Sequence, residues 1–304
     1  MMNKVSVRVP ATSANCGPGF DTLGLACTLY NITTYEVTEE KGFRLEVSGE
    51  GEGILKPFGR NLAIASFLKV WNQVTDGKRI GLKIRMENKI PMSRGLGSSS
   101  SAIVAGLYAA NILCGNFYDK GQLLDMATEI EGHPDNVAPA LLGGFTICCM
   151  NETRVTSLRL LPPKKIKLIV VVPERRLSTA LARQAIPASV PHKDAVYNTS
   201  RAALLVGALI SGNYEYLSVA LDDRLHQPYR AHLIPGLQDV FDAAKQAGAY
   251  NAVISGAGSS VMAYAPEQAD CDFIAKSMME AFNRNGESGT YHILDIDPHG
   301  VSEI

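Results

Sequence analysis

Net charge is nearly absent from this sequence. Its 29 Lys and Arg residues stand against 30 Asp and Glu, a balance of −1 at pH 7. A binder of nucleic acid or another polyanion needs a basic face, and no basic tail or arginine-rich arm is present. Long apolar runs are also missing. None reaches the roughly 18 residues of a membrane span, and the first residues alternate like a strand and lack the apolar core of a signal peptide. These absences predict a cytoplasmic protein that binds neither nucleic acid nor membrane. Cysteine is sparse and scattered, at Cys16, Cys27, Cys114, Cys148, Cys149 and Cys271, with no C-x-x-C pair. That spacing predicts small buried thiols in a reducing compartment, with no structural zinc and no disulfide framework. Repeats and low-complexity tracts are absent.

What is present is enough apolar material for a sizeable core. The 304 residues are 46% hydrophobic and 19% charged, enough for one large domain or two medium ones. Val5, Val7 and Val9 alternate with polar residues, and so do Leu82, Ile84 and Met86, giving half-buried strands. Residues 31–48 add strand pattern, and a helix is expected from Asn61. Residues 121–131 read as a helix ending at Gly132, HPDN at 133–136 as a turn, and NVAPALLGG as a short helix closed by paired glycines. FTICCM at 145–150 and KIKLIVVVP at 165–173 read as buried strands. Residues 178–226 are mostly helical, and YHILDID at 291–297 is the last expected strand. LPPKK at 161–165 is the natural joint. The expected fold is α+β in two domains, residues 1–163 and 164–304, with a cleft shared between them.

The junction PMSRGLGSSSS at 91–101, followed at once by an apolar helical stretch, carries the most chemistry. Gly95 and Gly97 allow a tight turn and close approach of a ligand to the backbone. Ser98 to Ser101 fall where a helix begins, with its unpaired N–H groups and positive dipole end. Such a place cradles phosphate. No Lys follows the last glycine, so this is not the P-loop pattern. An ordinary helix cap remains the alternative. The serine run could also suggest a hydrolase, but no G-x-S-x-G elbow is present.

Two further motifs accompany that loop: Asn15 to Asp21 near the start, and the late hairpin Ser255-Gly-Ala-Gly-Ser-Ser260. In this order the three resemble the kinase superfamily named for galactokinase, homoserine kinase, mevalonate kinase and phosphomevalonate kinase (the GHMP kinases). The narrower resemblance is to the homoserine kinase family. It rests on PATSANCGPGFDTLGLA at 10–26, GHPDNVAPALLGG at 132–144, STALAR at 178–183 and HQPYRAHLIPG at 226–236. The resemblance implies a ribosomal-protein-S5-like N-terminal domain carrying ATP and a ferredoxin-like C-terminal domain with added helices. It also implies phosphoryl transfer from ATP to the hydroxyl of L-homoserine, a step toward threonine.

By that resemblance, Pro91, Met92, Ser93, Arg94, Gly95, Leu96, Gly97, Ser98, Ser99, Ser100 and Ser101 form the nucleotide loop, and Asn61 opens the adenine-binding stretch. Glu131 resembles the magnesium carboxylate, with Ser98 or Ser99 as its hydroxyl partner. The loop before His133 is shorter than in longer family members, which keeps Glu129 and Asp125 open as substitutes for Mg²⁺, an ion that favours hard oxygen ligands. An α-amino acid acceptor needs a guanidinium for its carboxylate and a carboxylate for its ammonium. Arg183 and Arg230 suit the first task and Asp21 the second, with surface ion pairing or helix capping as the alternatives. Asn15, Thr179 and His133 complete the expected substrate contacts; for His133 a purely structural role stays open.

Some superfamily relatives place an aspartate base where this chain has Asn136. An amide accepts no proton at neutral pH, so transfer is expected to proceed by alignment and charge stabilisation, without a dedicated base. Asp135 stays a candidate for accepting or relaying the proton. In the hairpin this chain has Gly256-Ala-Gly-Ser-Ser260 where the family usually shows G-S-G-P-T, a change expected in loop stiffness and not in the reaction. Two other functions stay open. One is a kinase for mevalonate or a sugar, which would leave Asp21, Arg183 and Arg230 without purpose. The other is a catalytically silent nucleotide or metabolite sensor, supported only by Asn136. The apolar helices of the second half are compatible with a homodimer.

Overall fold

The computed structural model describes residues 3–58, 61–152 and 154–304; Met1 and Met2 of the opening strand segment lie outside them. The chain forms two sheets. The first gathers β1 (Lys4–Ala14), β2 (Leu23–Thr38), β3 (Gly42–Gly49), β4 (Gly81–Asn88), β5 (Phe145–Asn151) and β6 (Arg154–Leu160). The second gathers β7 (Ile166–Pro173), β8 (Asn251–Ile254), β9 (Val261–Pro266) and β10 (Gly289–Leu294). The chain changes sheets between Leu160 and Ile166, within the proline-containing joint.

Strand order in the first sheet is β11-β1-β2-β4-β3, with β5 pairing β2 and β6 outside it; β11 is the short segment Ser302–Glu303. Only the β3–β4 pair is parallel among the described pairs. Four helices cover this sheet: α1 (Leu62–Val74), α2 (Ser98–Leu113), α3 (Lys120–Glu131) and α4 (Pro134–Leu142). Val5, Val7, Val9, Leu82, Ile84 and Met86 enter the core with Phe67, Ile103 and Leu107 from the helices. The period of two in the strands thus meets the period of 3.6 in the helices.

β7 explains why KIKLIVVVP is apolar throughout. Leu168, Val170 and Val172 face the core shared with the first sheet, beside Leu25, Phe145 and Tyr264. Ile169 and Val171 face a third core on the opposite side. A strand covered on both faces loses polar–apolar alternation. The remaining helices follow in chain order: α5 (Thr179–Gln184), α6 (His192–Ser211), α7 (Leu217–Ala220), α8 (Gln227–Arg230), α9 (Leu237–Gln246) and α10 (Cys271–Arg284). α9 and α10 close that third core with Val240, Ile274 and Phe282.

Three local readings need correction. HPDN is not a free turn: His133 is the N-cap of α4 and Pro134 its first residue, a place where proline's missing N–H costs nothing. FTICCM is buried only in its first half, because β5 runs out beside β6; Cys149 is exposed, and Cys114 and Cys271 are half-buried, while Cys16, Cys27 and Cys148 are buried. The third is β11, two residues long and too short to give a sequence pattern. It pairs with β1 through Val7–Glu303 and Arg8–Ser302, returning the chain to the first sheet. No helix among the described residues is long and apolar enough to cross a membrane.

Candidate active site

A cavity of about 370 Å³ opens where the two sheets meet. One end is built from backbone. The chain leaves β4 and passes through Ser93, Gly95 and Gly97, all in the left-handed region (φ 58°, 75° and 70°). Gly97 is the N-cap of α2, and no side chain caps the helix there. The first N–H groups of α2 are therefore available to an anion beside the dipole's positive end. A Cβ on Gly97 would collide with the Thr12 hydroxyl, and one on Gly95 with the Ser255 carbonyl. The late hairpin braces the loop from behind: Ser255 Oγ donates to the Gly95 carbonyl at 2.7 Å and the Ser260 N–H to the Arg94 carbonyl at 3.3 Å.

Not every residue of the glycine-serine motif reaches the cavity. Pro91, Met92, Ser93, Gly95, Leu96, Gly97, Ser98 and Ser99 line it. Arg94 turns away and donates to the carbonyls of Pro173, Glu174 and Met92, pinning the loop to the end of β7. Ser100 and Ser101 are buried, because a helix turns about 100° per residue and carries them off the open face.

Asn61 lines the cavity too, and half of its amide's hydrogen-bonding capacity is used locally. Oδ1 accepts the Ile64 N–H at 3.2 Å as the N-cap of α1, and Nδ2 donates to the Lys56 carbonyl at 2.8 Å. An unpaired buried polar atom near this end belongs to a residue the sequence did not flag. Asn88 Oδ1 is buried without a hydrogen-bond partner among the described residues, while its Nδ2 donates to the Glu50 carbonyl. Leu55, Leu62, Met86 and Met92 line the cavity with Asn88. A largely apolar lining suits a flat heteroaromatic base.

Glu131, the last residue of α3, also lines the cavity. Its carboxylate accepts from Ser99 Oγ and Ser100 Oγ, each at 2.9 Å. The hydroxyl partners are thus Ser99 and Ser100, with Ser98 beside them on the cavity wall. The two substitutes are occupied elsewhere: Asp125 accepts the Val155 N–H, and Glu129 pairs with Lys69 on the surface. A carboxylate ringed by hydroxyls is a hard-oxygen donor set, which fits a magnesium ion.

The opposite end is built from charged side chains. Asn15, Cys16 and Asp21 adopt positive φ (69°, 47° and 54°), with Gly17 among them at 78°. Left-handed non-glycine residues cost roughly 1–2 kcal/mol each, so this loop needs external support. Asn15 Nδ2 donates to the Gly256 carbonyl at 2.9 Å, Asn15 Oδ1 accepts the Asp21 N–H at 3.1 Å, and buried Asn198 on α6 donates to the Pro18 carbonyl at 2.8 Å. Both oxygens of Asp21 meet Arg183, at 2.9 and 2.6 Å, so Asp21 caps no helix. Those hydrogen bonds raise the pKa of Arg183, outweighing the opposing effect of its partial burial. Arg230 is 2% exposed. Burial, reinforced by nearby Arg183, pulls its pKa down to about 10, so it stays charged at neutral pH. The Phe20 ring lies between the two guanidiniums, 5.5 Å from Arg183 and 5.3 Å from Arg230, at cation–π range.

His133 closes this end. Its Nδ1 lies 2.5 Å from Asp135 Oδ1. Burial disfavours the imidazolium, but the bond to Asp135 and that carboxylate's charge outweigh it, and the net shift is upward. Asp21, His133 and Asp135 bring ligand atoms within 4.8 Å of one another. Asn136 lies beside them and accepts from Thr12 Oγ1 at 2.8 Å. Thr179, in the first turn of α5, completes the wall. One end of the cavity can therefore hold an anion by its backbone. The other presents both charges that a zwitterion requires.

Comparison with known proteins matches both halves. Residues 61–144 fit the model of the GHMP kinases N terminal domain and residues 202–284 that of the GHMP kinases C terminal. The chain is 44% identical over 263 residues to the homoserine kinase of Carboxydothermus hydrogenoformans, covering 86% of each chain. It is 40% identical to that of Desulfitobacterium hafniense, over 99% of this chain and 100% of the other. The crystal structure of homoserine kinase from Cytophaga hutchinsonii superposes with a TM-score of 0.90 at 29% identity, covering 100% of this chain and 98% of that one. Sheet order, cavity and sequence therefore converge, and the chain belongs to the homoserine kinases of the GHMP kinase family.

Proposed function

We propose that the protein transfers the γ-phosphoryl group of ATP to the side-chain hydroxyl of L-homoserine, giving O-phospho-L-homoserine on the way to threonine. The observation that carries this reading is the pairing of an uncapped α2 N-terminus with the Asp21–Arg183–Arg230 group across one cavity. The peptide N–H groups from Gly97 to Ser99 hold the triphosphate. Arg183 and Arg230 take the acceptor's carboxylate, Asp21 its ammonium, and Asn15, Thr179 and His133 orient it. The largely apolar lining of Leu55, Leu62, Met86 and Met92 takes the adenine. Glu131 with Ser99, its hydroxyl partner on the cavity wall, and neighbouring Ser98 would hold Mg²⁺, which supplies charge neutralisation to the phosphates when bound.

Asn136 offers no base. Its Oδ1 already accepts from Thr12, and an amide has no useful basicity. Transfer then depends on alignment and electrostatic stabilisation, as a loose phosphoryl-transfer state permits. The buried Asp135–His133 pair is the nearest route for the acceptor's proton. In this reading the domains are 1–163 and 164–304, the ATP supply places the reaction in the cytoplasm, and a homodimer would use the exposed apolar residues Val196 and Ile210 of α6 and Val219 of α7.

An acceptor panel tests the reading. Mg²⁺-dependent ADP release should favour L-homoserine over L-serine, mevalonate and galactose by at least about 100-fold in kcat/KM. Equal or better turnover of mevalonate or a sugar would overturn the substrate assignment, and ATP binding with no turnover of any acceptor would favour a sensor.

A further inference from the structure

His226 is buried completely and takes no part in the transfer described above. It precedes α8 in the segment HQPYR. Its Nε2 lies 2.8 Å from the Gly17 carbonyl and its Nδ1 3.2 Å from Arg230 Nη1. A guanidinium can only donate and a carbonyl can only accept. Nδ1 must therefore be the bare nitrogen and Nε2 must carry the proton. Asp223 holds the backbone here, its Oδ2 accepting the main-chain N–H groups of His226 and Gln227 at 2.9 and 2.7 Å, and the same oxygen lies 3.6 Å from Nε2; Phe20 packs on the ring at 5.3 Å.

The bond has a consequence for Arg230. Nη1 also donates to the Gly256 carbonyl at 3.0 Å, and Nε donates to the Ala182 carbonyl at 3.1 Å. Both hydrogens of Nη1 and the one of Nε are thereby used, which leaves Nη2 for a ligand. Gly17, the other partner of His226, lies in the strained loop that carries Asp21. We propose that His226 is a positioning residue: its neutral imidazole clips Arg230 to the Gly17 carbonyl, fixing Arg230 relative to the Asp21–Arg183 pair and setting the width of the amino-acid cradle. This role rests on homoserine being the acceptor. Few other side chains meet the demand. A cation here would gain Asp223 but offer Arg230 no acceptor, a carboxylate would confront both the Gly17 carbonyl and Asp223, and an aliphatic group would leave Arg230 and Gly17 unpaired.

Two near-isosteric variants separate the two bonds. His226→Gln keeps a donor for Gly17 and loses the acceptor for Arg230; His226→Asn keeps an acceptor near Nδ1 and loses the reach to Gly17. Each should raise the KM for homoserine by about tenfold or more while leaving the KM for ATP within about twofold. Folded variants with lower thermal midpoints and an unchanged homoserine KM would reduce His226 to a packing residue and overturn the proposal. ¹⁵N-imidazole NMR of the wild-type protein without substrate needs no variant. It should show the histidine in contact with Phe20 as the neutral Nε2–H tautomer; an Nδ1–H or charged ring overturns the clip. A wild type that fails to phosphorylate homoserine refutes the functional reading instead, and the tautomer measurement still decides the clip.

Discussion

The two ends of the cavity are built to opposite plans, and in the proposed function they recognise ligand by opposite means. Around Gly97 the donors are peptide N–H groups, and the structure works by keeping side chains out. Around Asp21 the donors and acceptors are long charged side chains, and the structure works by holding them still. Backbone recognition draws its donors from one contiguous stretch of strand, loop and helix, which the second sheet only braces through Ser255, Ser260, Pro173 and Glu174. Side-chain recognition is distributed. Asp21 comes from the β1–β2 loop, Arg183 from α5 and Arg230 from α8, and the three meet only when both sheets are assembled. A backbone site should therefore fail sharply on adding a single carbon, and a side-chain site by degrees.

The sharpest failure is expected from Gly97→Ala. The added Cβ meets Thr12 and must also adopt φ +70°. ATP kcat/KM should fall by at least about 100-fold, with calorimetry showing ATP binding lost and homoserine binding retained. Were homoserine binding lost equally, the two ends would not be separable. Next is Arg183→Met, which leaves the Asp21 carboxylate without its partner. The homoserine KM should rise by roughly 30-fold with the ATP KM unchanged, and Arg183→Lys should recover part of the loss, because a lysine restores charge without the two-point geometry. A matching rise in the ATP KM would refute independence of the ends.

The smallest effect is one of stability. The folded-state pKa of His133 is raised above 6.5 by Asp135, despite the opposing effect of burial. The pair's contribution is therefore fully present below about pH 6.5 and is lost as pH rises through the raised value. Thermal melts of wild type and His133→Asn should differ by about 2 °C in mild acid and converge in alkali. A gap that widened with pH would reverse the assigned sign.

The same division explains what could be read from the sequence. The strand–glycine–helix junction was legible because its signal is contiguous: β4, two glycines, then serines opening α2. Arg94 was misread within that stretch because its partners, Pro173 and Glu174, come from the second sheet. Asn61 was given a base to read, and the sequence did not show that its helix start and Lys56 would take one acceptor and one donor of its amide. At the other end the residue types were legible from chemistry and resemblance. The bidentate Asp21–Arg183 pair was not, since 162 positions separate the partners. His226 stood at the head of the HQPYR segment but was given no role, and Asn198 was not singled out, because each acts on the carbonyl of a distant loop, and a carbonyl has no side chain to read.

The polypeptide passes between the two sheets at two places, once through 161–165 and again after β10, where Ile296 bridges to Cys27 and β11 joins β1. Two covalent crossings tie the second sheet to the first at both of its ends. Between the ties lies a shared buried layer, Leu25 and Phe145 from one sheet and Leu168, Val170 and Tyr264 from the other. The wall that the second sheet gives the cavity is thus anchored by chain at its margins and by packing behind it.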